Sequence, residues 1–435
     1  MAAVLTLFLF IAGLILCLAA DFPLVYALLF GLVCFISYGR YQKISFREIF
    51  SLLLIGLKKS FNIIKIFVLI GFLTALWRAC GTIPFIVYYG MKIINPHFFI
   101  VSVFLLCAFV SFLMGTSFGT ASTVGVICMI IARISGIHPL ITAGAVLSGI
   151  FFGDRCSPMS SSASLVASLT ETNLYDNIKH MMVTSLIPFA VTCLLYLVLG
   201  RTTNTADGAA AIIEEFPRLF ALNWYVILPA VSILVLCLFR LDVKIVMAVS
   251  SFLSFLLCVF VQNIPVKDTV LFMLSGFQAG TGSPLSPLIK GGGLLSMVNV
   301  GLIVSISSSY LGLLDRTGLL KNVQKLLHSL SSRLGLFPAA CAGSLITSAF
   351  SCNQTLATML TCELCRKSYS SKSRLALDLE DSVILLAALL PWNIAGSAAL
   401  AMIGADSVSL LFAFYLYLIP LYRILAGNHL MPRLR

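Results

Sequence analysis

The sequence predicts an all-α polytopic membrane protein of about ten to thirteen transmembrane spans or half-spans, with interrupted or re-entrant helices and two repeats of inverted topology. Three observations predict it. Of 435 residues, 60% are hydrophobic and only 10% charged, against about 25% charged in an ordinary soluble domain. The apolar residues fall in blocks long enough to cross a hydrocarbon core, which takes roughly 20 helical residues. Two further stretches are rich in Gly, Ser, Thr and Asn yet nearly uncharged. Backbone of that kind is tolerated in lipid only where protein or a watery cavity satisfies it.

The clearest blocks are 2–20, 24–38, 63–76, 98–114 and 181–199, followed by 224–239, 245–261, 294–311, 337–350 and 408–425. The first ends in Leu18-Ala19-Ala20, which resembles a cleavage site. No Lys or Arg precedes it, so it reads as a retained span. One membrane domain, 1–435, is the simplest division. It comprises N-terminal spans and a basic loop (1–62), a first repeat (63–177), connecting spans (178–293), a second repeat (294–406), and a C-terminal span with its tail (407–435).

The formal net charge of +12 is scattered among the spans rather than gathered on one polar face, which excludes a nucleic-acid partner and points to the bilayer. Its use is orientation. Arg40, Lys43, Arg47, Lys58 and Lys59 lie between the second and third blocks with Glu48 the only acid, so that loop is expected in the cytoplasm. By alternation the N-terminus is cytoplasmic too. The longest polar loop, 201–223, sets Asp207, Glu214 and Glu215 against Arg201 and Arg218 and suits the outside. Arg240 and Lys244 mark a cytoplasmic turn, and Arg423, Arg433 and Arg435 a cytoplasmic end.

No motif supports an enzyme or a resident cofactor. Most of the thirteen cysteines lie in apolar blocks as small hydrophobes, and the Cys362/Cys365 pair lacks the βαβ context of a redox motif. Gly280-Thr281-Gly282-Ser283-Pro284 and Lys290-Gly291-Gly292-Gly293 lack the Gly-Lys-Ser/Thr ending of a phosphate loop. His97, His138, His180, His328 and His429 show no metal-ligand spacing.

The two polar stretches resemble each other. Thr116-Ser117-Phe118-Gly119-Thr120 pairs with Ser348-Ala349-Phe350-Ser351-Cys352, and each is followed by a proline at similar distance, Pro158 and Pro391. Upstream, Arg78-Ala79-Cys80-Gly81 resembles Asp315-Arg316-Thr317-Gly318. Corresponding broken segments in two halves point to a transporter whose site lies at the repeat interface.

An acid retained near the bilayer centre is costly unless it serves a cation or proton. Asp154 and Asp381 are the leading candidates, both as ligands of a transported Na⁺. Asp154 ends an apolar run, and Pro158 forces the helix open, so freed carbonyls with Ser157 and Ser160 would form a cage of hard oxygens. Arg155 could instead pair with an acid as a structural bridge. Asp381 stands beside Glu380; for Glu380 the favoured reading is capping at a helix start, near the positive end of the dipole. Thr116, Ser117, Thr120, Asn353, Gln354 and Asn393 offer neutral ligands, or helix-to-helix hydrogen bonds. Trp392 reads as packing.

At these residues the chain resembles the NhaC-type sodium/proton antiporter family. The resemblance rests on Gly115-Thr116-Ser117-Phe118-Gly119-Thr120-Ala121 with Thr123-Val124-Gly125, on Gly153-Asp154-Arg155 with Ser157-Pro158-Met159-Ser160, and on Leu379-Glu380-Asp381-Ser382 leading to Pro391-Trp392-Asn393. It implies a carrier in the cell membrane of a prokaryote that exchanges Na⁺ for H⁺ by alternating access. Some relatives carry organic acids or amino acids, so a coupled carrier of a small organic solute is the alternative. A homodimer is compatible with either. The chain departs from the family where an Asp commonly follows Ser160: Ser161, Ser162, Ala163 and Ser164 stand there.

Overall fold

The computed structural model describes residues 2–20, 22–93, 95–201, 209–239, 241–279, 285, 289–317 and 335–426. These are helices joined by short connections, with one isolated bridge between Phe277 and Gly291. Six helices are long and apolar enough to cross a membrane: Leu24–Tyr41, Pro96–Met114, Ser117–Ser135, Leu174–Gly200, Val243–Phe260 and Leu294–Leu314. Two bent pairs add to them, Phe46–Lys58 with Ile63–Ala79 at 42° and Lys372–Leu389 with Ile394–Ile403 at 54°. Leu5–Cys17, Trp224–Leu238, Leu336–Ser351 and Phe414–Ala426 are shorter apolar helices. The protein is thus a multi-pass, all-helical membrane protein. Gly280 to Pro284, Arg240, Gly318, Asp207 and the tail with Arg433 and Arg435 lie outside the described residues.

Two expected boundaries move. The basic loop after the second block shrinks to a turn, because a helix starts at Phe46 and runs to Ala79. Ser45 Oγ accepts from the Glu48 amide at 3.2 Å, the Ser-x-x-Glu arrangement that starts helices. Arg47, Lys58 and Lys59 therefore lie on helix. The block 408–425 is not continuous either: a 3₁₀ turn, Ser407–Phe412, gives way at Ala413 to the helix Phe414–Ala426. Buried hydroxyls make this break affordable. Tyr196 donates to Phe412 O at 2.7 Å and Ser148 Oγ accepts from the Tyr415 amide at 3.3 Å.

The internal resemblance is present in the backbone, in a different register from the sequence pairing. The Pro96–Met114 helix ends on left-handed Gly115 and restarts from extended Thr116 (φ −146°, ψ 127°). The Leu336–Ser351 helix ends on left-handed Cys352 and restarts from Asn353 (φ −145°, ψ 125°). Thr116 therefore corresponds to Asn353, not to Ser348. What repeats is the break, which small polar composition locates only to within a few residues. Downstream, extended Ser157 and Ser160 flank Pro158 as extended Leu390 and Asn393 flank Pro391, so the proline pairing holds.

In each half the second break supports the first. Ser157 Oγ donates to Phe112 O at 2.6 Å, and Asn393 Nδ2 donates to Ser348 O at 3.1 Å. Phe112 O is a carbonyl that the helix end leaves without an intrahelical partner, whereas Ser348 O also accepts from the Cys352 amide at 3.2 Å. Ile394 N–H also donates to Cys352 O at 2.9 Å. A β-carbon on Gly115 would lie 2.4 Å from Met159 C, so the first crossing requires glycine both for its φ of 64° and for contact. Gly115→Val should therefore cost at least about 1–3 kcal/mol from backbone strain alone, with the overlap added. The unfolding midpoint of purified protein measures this, with Gly301→Ala, whose β-carbon meets nothing within 4 Å, as the control. Equal midpoints would show that the crossing can open without cost.

Candidate ion site at the crossed breaks

Asp154 lies in the last turn of the Pro139–Cys156 helix and is buried. Gly149 and Gly153 bring that helix against Pro96–Met114: a β-carbon on Gly153 would fall 2.1 Å from Ser111 C, the close approach that Gly-x-x-x-Gly permits in membranes. Asp154 Oδ2 accepts from Ser162 Oγ at 3.0 Å and from Gln354 Nε2 at 3.2 Å. The Ser117 amide faces the same carboxylate.

These partners share a structural origin. Ser117, Ser162 and Gln354 stand in the first turns of Ser117–Ser135, Ser161–Thr170 and Gln354–Cys365. Each such end carries about half a positive charge and unpaired amides. Asp154, at the unfavourable C-terminal end of its own helix, is thus surrounded by three favourable N-terminal ends. Two belong to the first half of the chain and one to the second. Ser160 joins them by capping the Ser162 and Ala163 amides at 3.1 and 3.2 Å while donating to the Asp154 carbonyl.

Four other expected site residues shape the breaks instead. Thr116 Oγ1 accepts from the Gly119 amide at 3.4 Å, Asn353 Oδ1 from Thr355 at 2.9 Å and Asn393 Oδ1 from Ala395 at 3.1 Å. Ser157 is engaged at Phe112, as above. Thr120 Oγ1 donates to Thr116 O at 3.0 Å, just before a π turn at Ala121–Gly125, a feature common at functional sites. Trp392 donates to Ala349 O at 3.2 Å, as packing.

Asp381 is not among the hydrogen-bond partners of the Asp154 group and belongs to a buried charge network. It pairs with Arg155 and with Arg423 Nε at 2.9 Å, and accepts from Thr184 Oγ1 at 3.2 Å. Arg423 also pairs with buried Asp378, which accepts from Tyr369 at 2.8 Å. Arg155 is thereby the structural bridge that its sequence position allowed. Arg374 Nε approaches Asp378 at 4.0 Å, so three guanidinium groups meet two carboxylates in this network.

Glu380 overturns its expected reading. It ends the Lys372–Glu380 helix and Asp381 is the C-cap, so neither acid caps a helix start at the positive end of the dipole. Glu380 is fully buried, and neither carboxyl oxygen has a hydrogen-bond partner among the described residues. It interacts electrostatically with Asp154, Asp381 and Arg155. Unlike Asp378 and Asp381, Asp154 and Glu380 form no ion pair among the described residues. Ser162 is the other residue that sequence reasoning left out of the site. Its signal was the serine run that follows Ser160.

Comparison with known proteins bears on what such a carboxylate serves. The model of the Na⁺/H⁺ antiporter family matches residues 2–150 and 149–428. The chain belongs to the Na⁺/H⁺ antiporter family. It is 32% identical over 415 residues to the Na⁺/H⁺ antiporter NhaC of Alkalihalophilus pseudofirmus, covering 93% of this chain and 89% of the relative. An uncharacterized Na⁺/H⁺ antiporter of Haemophilus influenzae is 29% identical, covering 81% and 79%. The malate-2H⁺/Na⁺-lactate antiporter of Bacillus subtilis is 24% identical, covering 84% and 81%. As a Na⁺/H⁺ antiporter family member, the chain is a secondary-active transporter, with Na⁺ and H⁺ as its transported ions.

Proposed function

We propose that Na⁺ and H⁺ compete for one site centred on the Asp154 carboxylate, and that exchange follows from the inability of either to occupy it while the other does. The observation that carries this is a buried carboxylate held, among the described residues, by neutral donors and helix ends and by no ion pair. Ser162 Oγ and the Gln354 amide, turned to present its oxygen, supply hard neutral ligands to Na⁺. Glu380 is a second buried acid that interacts electrostatically with Asp154. Asp381, already paired with two arginines, holds the second half of the chain against the first rather than binding the ion.

The Asp154 group spans both halves, since Gln354 belongs to one and Asp154 to the other. Relative movement of the halves would expose it to alternate sides, in keeping with broken helices at a repeat interface. We place the protein in a prokaryotic cell membrane with its N-terminus in the cytoplasm, on the strength of the basic residues from Arg40 to Lys59.

The test is a pH-gradient assay in proteoliposomes holding the purified full chain, with Na⁺, K⁺ or Li⁺ added in the presence and absence of small carboxylates and amino acids. Proton movement on Na⁺ alone is expected. Competition further requires the apparent Michaelis constant for Na⁺ to rise by about tenfold per pH unit on the acid side at constant maximal rate. A maximal rate that falls with a constant Michaelis constant would refute a shared site. No response without an organic solute would make the chain a coupled carrier.

A further inference from the structure

A second concentration of charge lies far from Asp154. Arg133 stands in the last turn of the Ser117–Ser135 helix, about 24 Å along it from Ser117 at 1.5 Å per residue. There a cavity of about 280 Å³ is lined by Arg78, Arg133 and Lys290, with Thr74, Gly291 and Gly292 among its other walls. Among the described residues no carboxylate lines it. Nor could the cations' own segments supply one, because the sequence has no Asp or Glu between Glu48 and Asp154 or between Asp268 and Asp315.

Arg78 is only 7% exposed, and its Nε has no hydrogen-bond partner among the described residues. Its Nη1 donates to Thr74 O at 2.8 Å, while Arg133 Nη2 donates to the Ile403 and Gly404 carbonyls. Cations commonly cap helix C-termini in this way, but each such end carries only about half a negative charge. Capping leaves most of the positive charge in place, part of it on a buried guanidinium. A buried charge without a counter-charge is strongly unfavourable.

The glycine run that fails as a nucleotide loop has its structural use here. Gly291, Gly292 and Gly293 adopt φ of 125°, 76° and 81°, which other residues rarely adopt. A β-carbon on Gly292 would fall 2.5 Å from the Ala75 amide. Only glycine lets the chain lie on the helix beside Arg78, and so places Lys290 at the same cavity.

We propose that this cavity binds a small oxyanion, a carboxylate or phosphate group, between Arg78, Arg133 and Lys290. The guanidinium fork matches two oxygens of such a group, and Lys290 adds a point charge. A free oxyanion in solution and the headgroup of an anionic lipid share this chemistry. The proposal does not depend on the role of Asp154.

The experiment reads the unfolding midpoint of the full-length protein in uncharged detergent. Inorganic phosphate is titrated at constant ionic strength against chloride, and phosphatidylglycerol is added in a parallel series against phosphatidylcholine. A saturable rise in midpoint is expected in one series, and which one identifies the source. Lys290→Gln, an exposed position, should weaken the apparent affinity by about tenfold, and Arg78→Gln by more. Without the anion, Arg78→Gln should be at least as stable as wild type, since it removes an uncompensated charge; with it, wild type should be the more stable. A rise reproduced by chloride or phosphatidylcholine, unchanged in Lys290→Gln, or absent from both series overturns the proposal.

Discussion

Asp154→Asn, reconstituted at the density of the wild type, is expected to lose Na⁺-driven proton movement down to the level of protein-free vesicles, a fall on the order of 100-fold or more, because an amide offers neither the charge nor the proton of the buried acid. The amide has nearly the shape of the carboxylate, and its oxygen can still accept from Ser162 and Gln354. The fold should therefore survive, with an unfolding midpoint near that of the wild type. That separates lost chemistry from lost structure. Glu380→Gln should have a smaller effect, shifting the apparent Na⁺ affinity several-fold while leaving exchange measurable, because Glu380 interacts electrostatically with Asp154 without hydrogen-bonding to the site. A fully active Asp154→Asn would remove Asp154 from the ion path. If exchange were lost in Glu380→Gln instead, the two acids would trade roles.

The membrane class and the breaks were legible in the sequence because both depend on local composition. Long apolar runs have one stable arrangement in lipid, and the small polar residues clustered around Gly115 and Pro158 favour a break that only protein or a cavity can satisfy there. Asp154 was legible for the same reason, as an acid at the end of an apolar run beside such a break. What the sequence concealed is long-range. Gln354 and Asp154 are 200 positions apart, and only the folded crossing places one amide on the other's carboxylate. Arg155 and Asp381 are 226 apart, so an acid that looked as free as Asp154 turns out to have two cationic partners. Glu380 was misread because adjacent acids at the junction of two short helices can stand at the end of one or the start of the next. The five-residue error in repeat register has a similar source, since Ser348 and Asn353 are both small polar residues near one break.

The pairing of Asp381 carries the second large effect. Arg155, Asp381, Arg423 and Asp378 are all buried, and removing one member leaves the charges of the network unbalanced; breaking a buried pair in this way costs about 3–5 kcal/mol. Arg155→Met and Asp381→Asn should each lower stability on that scale. The combined Arg155→Met/Asp381→Leu protein should lose less than the sum of the separate losses, because no uncompensated charge remains from that pair. A coupling energy of about 0.5–3 kcal/mol is typical of residues in contact, and burial places this pair at the upper end. Thr184, Ser185 and Tyr415, which also meet the Arg155 guanidinium, would lose their partner in the combined protein, so recovery should be incomplete. The decisive comparison is between stability and ion affinity in Asp381→Asn. A lowered unfolding midpoint with unchanged apparent Na⁺ affinity in the folded fraction supports a structural bridge between the halves. A wild-type midpoint with altered Na⁺ affinity would return Asp381 to the ion site, and would require Arg155 to release it during transport.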